Sequence, residues 1–203
     1  MTAERVILWR HGQTDWNLQL RIQGAVDFPL NDTGREQARL AAQNIAVMEP
    51  SKIVSSPLSR ARDTAKEVAQ LVGVTVELDA RLEERNYGEW EGLTREEIVE
   101  RNPEQFKVWE DGGNPAGLGI ETSASVGYRV AEAIVDIAES MDGGTLLIAS
   151  HGAATRAAIA VLLGQNPDEW AGVRGMDNCR WAVLLPQYNR NPLWRLVNYN
   201  ASC

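Results

Sequence analysis

The chain of 203 residues holds only two histidines, and both stand in the same setting. His11 comes two residues after the apolar run Val6-Ile7-Leu8-Trp9 and precedes Gly12. His151 comes two residues after Leu146-Leu147-Ile148-Ala149 and precedes Gly152. Arg10 adjoins the first histidine, and the segment Ser55-Ser56-Pro57-Leu58-Ser59-Arg60 brings a second arginine. A neutral imidazole nitrogen is a competent nucleophile toward phosphorus. Guanidinium groups stay charged and grip phosphate through paired N–H donors. With a phosphoryl group held in line between them, positioning and charge neutralisation supply most of the rate. A leaving alkoxide also needs a proton, and the acidic pair Glu83-Glu84 is available to give one.

These groups can act together only if the fold gathers them. Strand and helix signals alternate along the chain. Val6 to Trp9 is wholly apolar, as expected for a strand buried on both faces. A polar loop runs from 10 to about 30. Asn31 or Asp32 caps a helix to about Met48, with Ala38, Ala41, Ala42 and Ile45 on one side. Ile53-Val54 forms a strand, Pro57 opens a helix to about Leu71, and Val74 to Leu78 alternates like a strand nearer an edge. The stretch 82–92 is irregular. Thr94-Arg95-Glu96-Glu97 reads as a capping box for a short helix, and the glycine-rich stretch 110–121 as a loop able to act as a flap. Thr122 or Ser123 starts a long helix carrying Val126, Val130, Ile134 and Ile137. A strand at Thr145–Ala149, a helix from about Ala153 to Leu163, and a closing hairpin of Trp181–Leu185 and Leu193–Val197 complete the chain.

Such alternation predicts an α/β fold. We expect a three-layer α/β/α sandwich, with a mostly parallel central sheet and one antiparallel edge strand. Residues 1–203 read as one domain with a lid at about 82–121. Ligands bind such sheets beyond the strand C-termini, where the strand order switches. Arg10-His11, Ser56 to Arg60 and Ser150-His151 all emerge at that edge.

Composition narrows the partners. The formal net charge is −8, which argues against nucleic acid, since phosphate tracking needs a basic stripe. A few arginines in one cleft can still hold a small anion. Cys179 and Cys203 make no disulfide framework, which fits a reducing compartment. No run approaches the ~20 apolar residues that span a bilayer, and the first residues lack a secretory profile. A cytoplasmic protein with no membrane partner is expected. A metal site is the rival reading of the histidines. They lie far apart with no carboxylate at helical ligand spacing, and Arg10 and Arg60 would repel a cation, so no metal is expected. A merely structural pair is the plainer rival. Glu89, Glu91, Glu96, Glu97 and Glu100 read as a solvated face. Most tryptophans read as core, with Trp16 and Trp109 placed to edge the cleft, and Cys179 reads as packing at a strand start.

Arg10-His11-Gly12-Gln13-Thr14 with Trp16-Asn17 resembles the signature of the histidine phosphatase superfamily, in its phosphoglycerate-mutase-like branch. Ser55 to Ala65 is similar to that family's second arginine motif, and Ser150-His151-Gly152 to its second histidine motif. Arg21-Ile22-Gln23-Gly24 resembles the loop lining its phosphate pocket, and Arg81 to Gly92 the segment carrying its acid. The resemblance covers nearly the whole chain. It implies that His11 is the nucleophile that becomes a phosphohistidine. Arg10, Arg60 and His151 would clamp the transferring oxygens, His151 as a cation or through a protonated nitrogen. Glu84, four residues before Gly88, would be the proton donor. Asn17, Gln23, Gly24 and Gly152 would complete the phosphate pocket. No cofactor is implied, because arginines stand where a divalent ion would.

One departure is plain. The family often shows Gly-Glu-Ser before the long helix, and here the stretch is Gly119-Ile120-Glu121-Thr122. Isoleucine does not easily take positive φ, which leaves the loop path and the role of Glu121 open. Mutases of this branch resemble longer chains with extra lid segments, so the short lid here favours hydrolysis of a small phosphorylated metabolite. Gly175-Met176-Asp177-Asn178, with Trp181 and the ending Trp194-Arg195-Leu196 to Ser202, resembles actinobacterial phosphatases acting on glucosyl-3-phosphoglycerate. A phosphoglycerate mutase and a non-catalytic phosphate-binding scaffold are the alternatives. A homodimer is a further expectation.

Overall fold

Wholly apolar runs end up in the middle of the sheet. In this computed structural model, which describes residues 2–202, β1 (Arg5–Arg10) and β4 (Thr145–Ser150) lie side by side and parallel. Their side chains alternate between two cores. Val6, Leu8, Leu146 and Ile148 face one, while Ile7, Trp9, Leu147 and Ala149 face the other. Burial on both faces is why neither strand shows a polar alternation. Removing each of these large side chains from water contributes about 1.5–3 kcal/mol.

β2 (Pro50–Ser55) pairs with β4 on its other side, and β3 (Val76–Leu78) pairs with β2 to form one edge. Beyond β1 come β5 (Trp181–Pro186) and β6 (Trp194–Ala201), giving the order β3-β2-β4-β1-β5-β6. The antiparallel strand expected at an edge is β5, one place in from it. The reason is the hairpin. The short connection 187–193 returns β6 antiparallel alongside β5, so the last strand again points with β1.

Helices cover both faces. α2 (Asp32–Ala46) is capped by Asn31, whose side chain accepts from the Gly34 N–H, and it buries the expected stripe Ala38, Ala41, Ala42 and Ile45. α3 (Ser59–Val72) starts two residues after Pro57 and stops at Gly73, which takes the left-handed φ of 72°. α6 (Ser123–Glu139, capped by Thr122) and α7 (Gly152–Leu162) pack on the other face. Among the described residues, no helix is long and apolar enough to cross a membrane.

Three short helices are added outside the sheet layers. α1 (Asp15–Leu18) lies in the stretch expected to be loop; it buries no residue, so it has no apolar face to betray it. α4 (Arg95–Arg101) carries the expected capping box of Thr94 and Glu97, and α5 (Pro103–Glu110) follows with Pro103 in its first turn. α4 and α5 build a small core of their own from Trp90, Ile98, Phe106 and Leu118, with Trp109 edge-on to Trp90. The glycine-rich stretch 110–121 is tied at both ends. Gly113 donates to the Val108 carbonyl, Glu89 donates to the Leu118 carbonyl, and the Asn114 side chain accepts from Arg85 and from the Ser123 N–H. The left-handed φ falls on Gly119 (69°), so Ile120 is not asked to adopt it.

Candidate active site

Register brings the two histidines together. Because Arg10 pairs with Ser150, His11 and His151 leave adjacent strands at the same height. Their ring centroids are 5.2 Å apart, and both rings are almost wholly buried. Ser55 of β2 pairs with Ala149, which puts Ser56 beside the same point; its Oγ lies 2.8 Å from His151 Nε2. The next residues turn into α3 and deliver Arg60, also fully buried. A cavity of about 830 Å³ opens over these strand ends. Arg10, His11, Asn17, Gln23, Gly24, Arg60, Glu84 and Gly152 all line it, and His151 packs against His11.

The state of His11 follows from its surroundings. Its Nδ1 lies 2.7 Å from the Gly12 carbonyl oxygen. A carbonyl can only accept, so Nδ1 carries the proton and Nε2 keeps its lone pair. Desolvation is the main force holding the pKa well below 6.5, and the charges of Arg60 and Arg10 add to it. His151 is pushed the same way by burial, then by Arg60, His11 and Arg10. Of the two forms expected for His151, the cation is therefore disfavoured in the free protein. The hydroxyl of Ser56 accepts from the Leu58 N–H and has a proton free to donate to His151 Nε2, 2.8 Å away. The neutral ring then carries its own proton on Nδ1, as a donor.

The arginines are fixed through their outer nitrogens. Arg60 Nη1 and Nη2 donate to the carbonyls of Val26 and Gly24 at 2.7 Å each, and Arg10 Nη1 donates to the Met176 carbonyl. Among the described residues, the buried nitrogens Arg10 Nε, Arg60 Nε and His151 Nδ1 have no protein partner. Three unpaired buried donors in one place are costly unless an acceptor meets them. A tetrahedral oxyanion supplies such acceptors. Two side-chain amides are aimed by the same logic. The Asn17 oxygen accepts from the Thr14 N–H and from Asn178 Nδ2, and the Gln23 oxygen lies 3.0 Å from Thr14 Oγ1. With their oxygens engaged, both amides are left with N–H donors.

Glu84 sits on the first turn of α7. Its carboxylate accepts from the backbone N–H groups of Ala153 and Ala154, and from its own neighbour Arg85. The helix whose preceding residue is His151 thus also anchors the expected acid. Burial, together with the charge of Glu84, pushes the nearby Tyr87 hydroxyl up to about 12.

Three supporting residues escaped the sequence reading. Asn178 donates to the His11 and Gly12 carbonyls as well as to Asn17, so it steadies the carbonyl that sets the His11 tautomer. Arg129 donates to the carbonyls of Arg81 and Glu83 and pairs with Glu121 at 2.8 Å. Glu121, left open from sequence, therefore holds the arginine that holds the acid segment. Glu91, expected on a solvated face, instead accepts from the Ala25 and Tyr87 N–H groups and ties the phosphate loop to that same segment. Glu97 likewise caps α4 and pairs with Arg21. Polar side chains bonded to distant backbone leave no periodic signal, which is why sequence missed these roles. Trp109 reaches the cavity wall as expected, while Trp16 stacks on Phe28. Cys179 is buried just before β5, with a φ of 57°.

The chain is similar to known proteins over its whole length. A model of the histidine phosphatase superfamily (branch 1) matches residues 6–202. A glucosyl-3-phosphoglycerate phosphatase of Mycolicibacterium vanbaalenii is 35% identical, across 100% of this chain and 96% of that protein. A mycobacterial glucosyl-3-phosphoglycerate phosphatase solved with VO3 superimposes with a TM-score of 0.90 at 33% identity, covering 98% of this chain and 100% of that one. A phosphoserine phosphatase of Entamoeba histolytica, solved with 3-phosphoglyceric acid, gives 0.83 at 29% identity, covering 98% of this chain and 97% of that one.

Proposed function

The chain belongs to the histidine phosphatase superfamily, branch 1, and from that premise we propose that its cavity hydrolyses a small phosphomonoester, glucosyl-3-phosphoglycerate by its likeness to the mycobacterial enzymes. The observation that carries this is the set of buried, unpaired donors around a neutral His11 whose lone pair is on Nε2. His11 Nε2 attacks phosphorus, the N–P bond forms, and the ester P–O bond breaks. The alkoxide takes a proton from Glu84 in its acid form. Water then attacks the phosphohistidine and gives its proton back to Glu84. The N–P bond breaks and inorganic phosphate leaves. Arg10, Arg60, His151 Nδ1, Asn17 and Gln23 stabilise the charge spread over the phosphoryl oxygens, with backbone at Gly24 and Gly152 shaping the pocket. Fixed guanidinium groups supply the positive charge, so the chemistry needs no metal ion.

The test is hydrolysis of p-nitrophenyl phosphate and of glucosyl-3-phosphoglycerate, with free phosphate as the measured product. His11→Ala should lower turnover by about 10³-fold or more and abolish an acid-labile phosphoenzyme. Hydrolysis that survives the substitution, or an isomerised ester in place of free phosphate, would overturn the reading.

A further inference from the structure

Beyond the phosphate nest, the α7 wall of the cavity is bare except at one residue. Gly152, Ala153, Arg156 and Ala157 line the cavity from this helix, and three of them have side chains no larger than a methyl group. Arg156 stands one helical turn after Gly152, on the same side of α7. At Gly152 the helix passes the Arg10 guanidinium so closely that a Cβ there would lie 3.3 Å from Arg10 Nε. Arg156 therefore continues the line of positive charge from the phosphate nest into the body of the cavity.

The arginines that line the cavity from other segments are committed. Arg21 pairs with Glu97 and donates to the Gly92 carbonyl, and Arg85 donates to the Glu121 carbonyl, Ser123 and Asn114. Among the described residues, Arg156 makes no hydrogen bond or ion pair, although it is only partly exposed. The rest of the cavity rim has the other character, with Trp109, Glu110, Asp111, Asp168, Glu169 and Trp170. Carboxylates there would repel a second anion but accept hydrogen bonds from hydroxyl groups.

We propose that Arg156 binds a carboxylate on the leaving-group side of the substrate, so that the site selects phosphoesters carrying a carboxylate a few bonds from the phosphate. A planar guanidinium meets a carboxylate with two parallel hydrogen bonds, and it keeps its charge throughout the working pH range. The acidic, tryptophan-bearing rim then faces the neutral, hydroxylated remainder. This assignment rests on the phosphatase reading and adds to it the residue that reads the substrate.

The test compares 3-phosphoglycerate with glycerol 3-phosphate, which carries a hydroxymethyl group in place of the carboxylate, and uses p-nitrophenyl phosphate as control. The native protein should prefer 3-phosphoglycerate. Arg156→Met should lose about 10- to 100-fold in kcat/KM on it, mostly through KM, and change less than about 3-fold on glycerol 3-phosphate. Arg156→Lys should recover part of the loss, and it keeps the test open should the Met variant fold poorly. Equal losses on both esters, or no preference in the native protein, would overturn the proposal. Absence of His11-dependent p-nitrophenyl phosphate hydrolysis in the native protein would instead strike the phosphatase reading beneath it.

Discussion

At the scale of single residues, the candidate site keeps two imidazoles neutral next to guanidinium groups. Burial and two cationic neighbours hold the pKa of both histidines well below 6.5. The chain has only these two histidines, so their ring signals can be followed by NMR without ambiguity. Neither ring should titrate near pH 6.5 in the ligand-free protein; a midpoint at or above that value would contradict the electrostatics. Stability carries the same signature. The unfolded chain takes up protons as pH drops through 6.5, and the folded chain does not until lower pH. Folding should therefore weaken on acidification below about 6.5, by up to about 1.4 kcal/mol per pH unit for each histidine, until the folded-state values are reached. Urea denaturation between pH 7.5 and 5 measures this. A flat profile would mean that the two rings lack the shifts described.

At the scale of elements, placement depends on backbones that approach closely. The turn after β1 packs against the first turn of α2, where a Cβ on Gly34 would meet the Gln13 carbonyl oxygen at 2.0 Å. By helix propensity alone, Gly34→Ala should stabilise α2 by up to about 1 kcal/mol. The contact should win, because Gln13 belongs to the loop that carries His11 and has no room to retreat. We expect a net loss of about 1–3 kcal/mol and a fall in kcat. Denaturation and steady-state kinetics on the same variant decide it, and a stabilised, fully active variant would show that the loop is not pinned there. Likewise, α7 ties two candidate site residues together: the residue before it is His151, and its first N–H groups hold Glu84.

At the scale of the whole molecule, a chain of net charge −8 gathers Arg10, Arg60 and Arg156 at one cavity. In the proposed mechanism that fixed positive charge takes the part a divalent ion plays at other phosphoryl-transfer sites. Among the described residues, no group of three or more His, Cys, Asp or Glu is placed to hold a metal. EDTA should accordingly leave hydrolysis unchanged within about 2-fold, and a loss reversed by Mg²⁺ would refute the metal-free chemistry. Sequence by itself determined the α/β alternation and the doubled His-Gly at strand ends, and it singled out His11, His151, Arg10, Arg60 and Glu84 as the candidates that the fold brings to one cavity. Burial on both sheet faces and the need for particular chemical groups leave marks that do not depend on distant partners. Tertiary structure alone decided that β5 rather than the edge runs antiparallel, that Asn178, Arg129 and Glu91 brace the site, that His151 is disfavoured as a cation, and that Arg156 is the uncommitted charge on the wall. Each of these depends on which residues become neighbours across the fold, and a contact between residues distant along the chain has no period to be read from sequence.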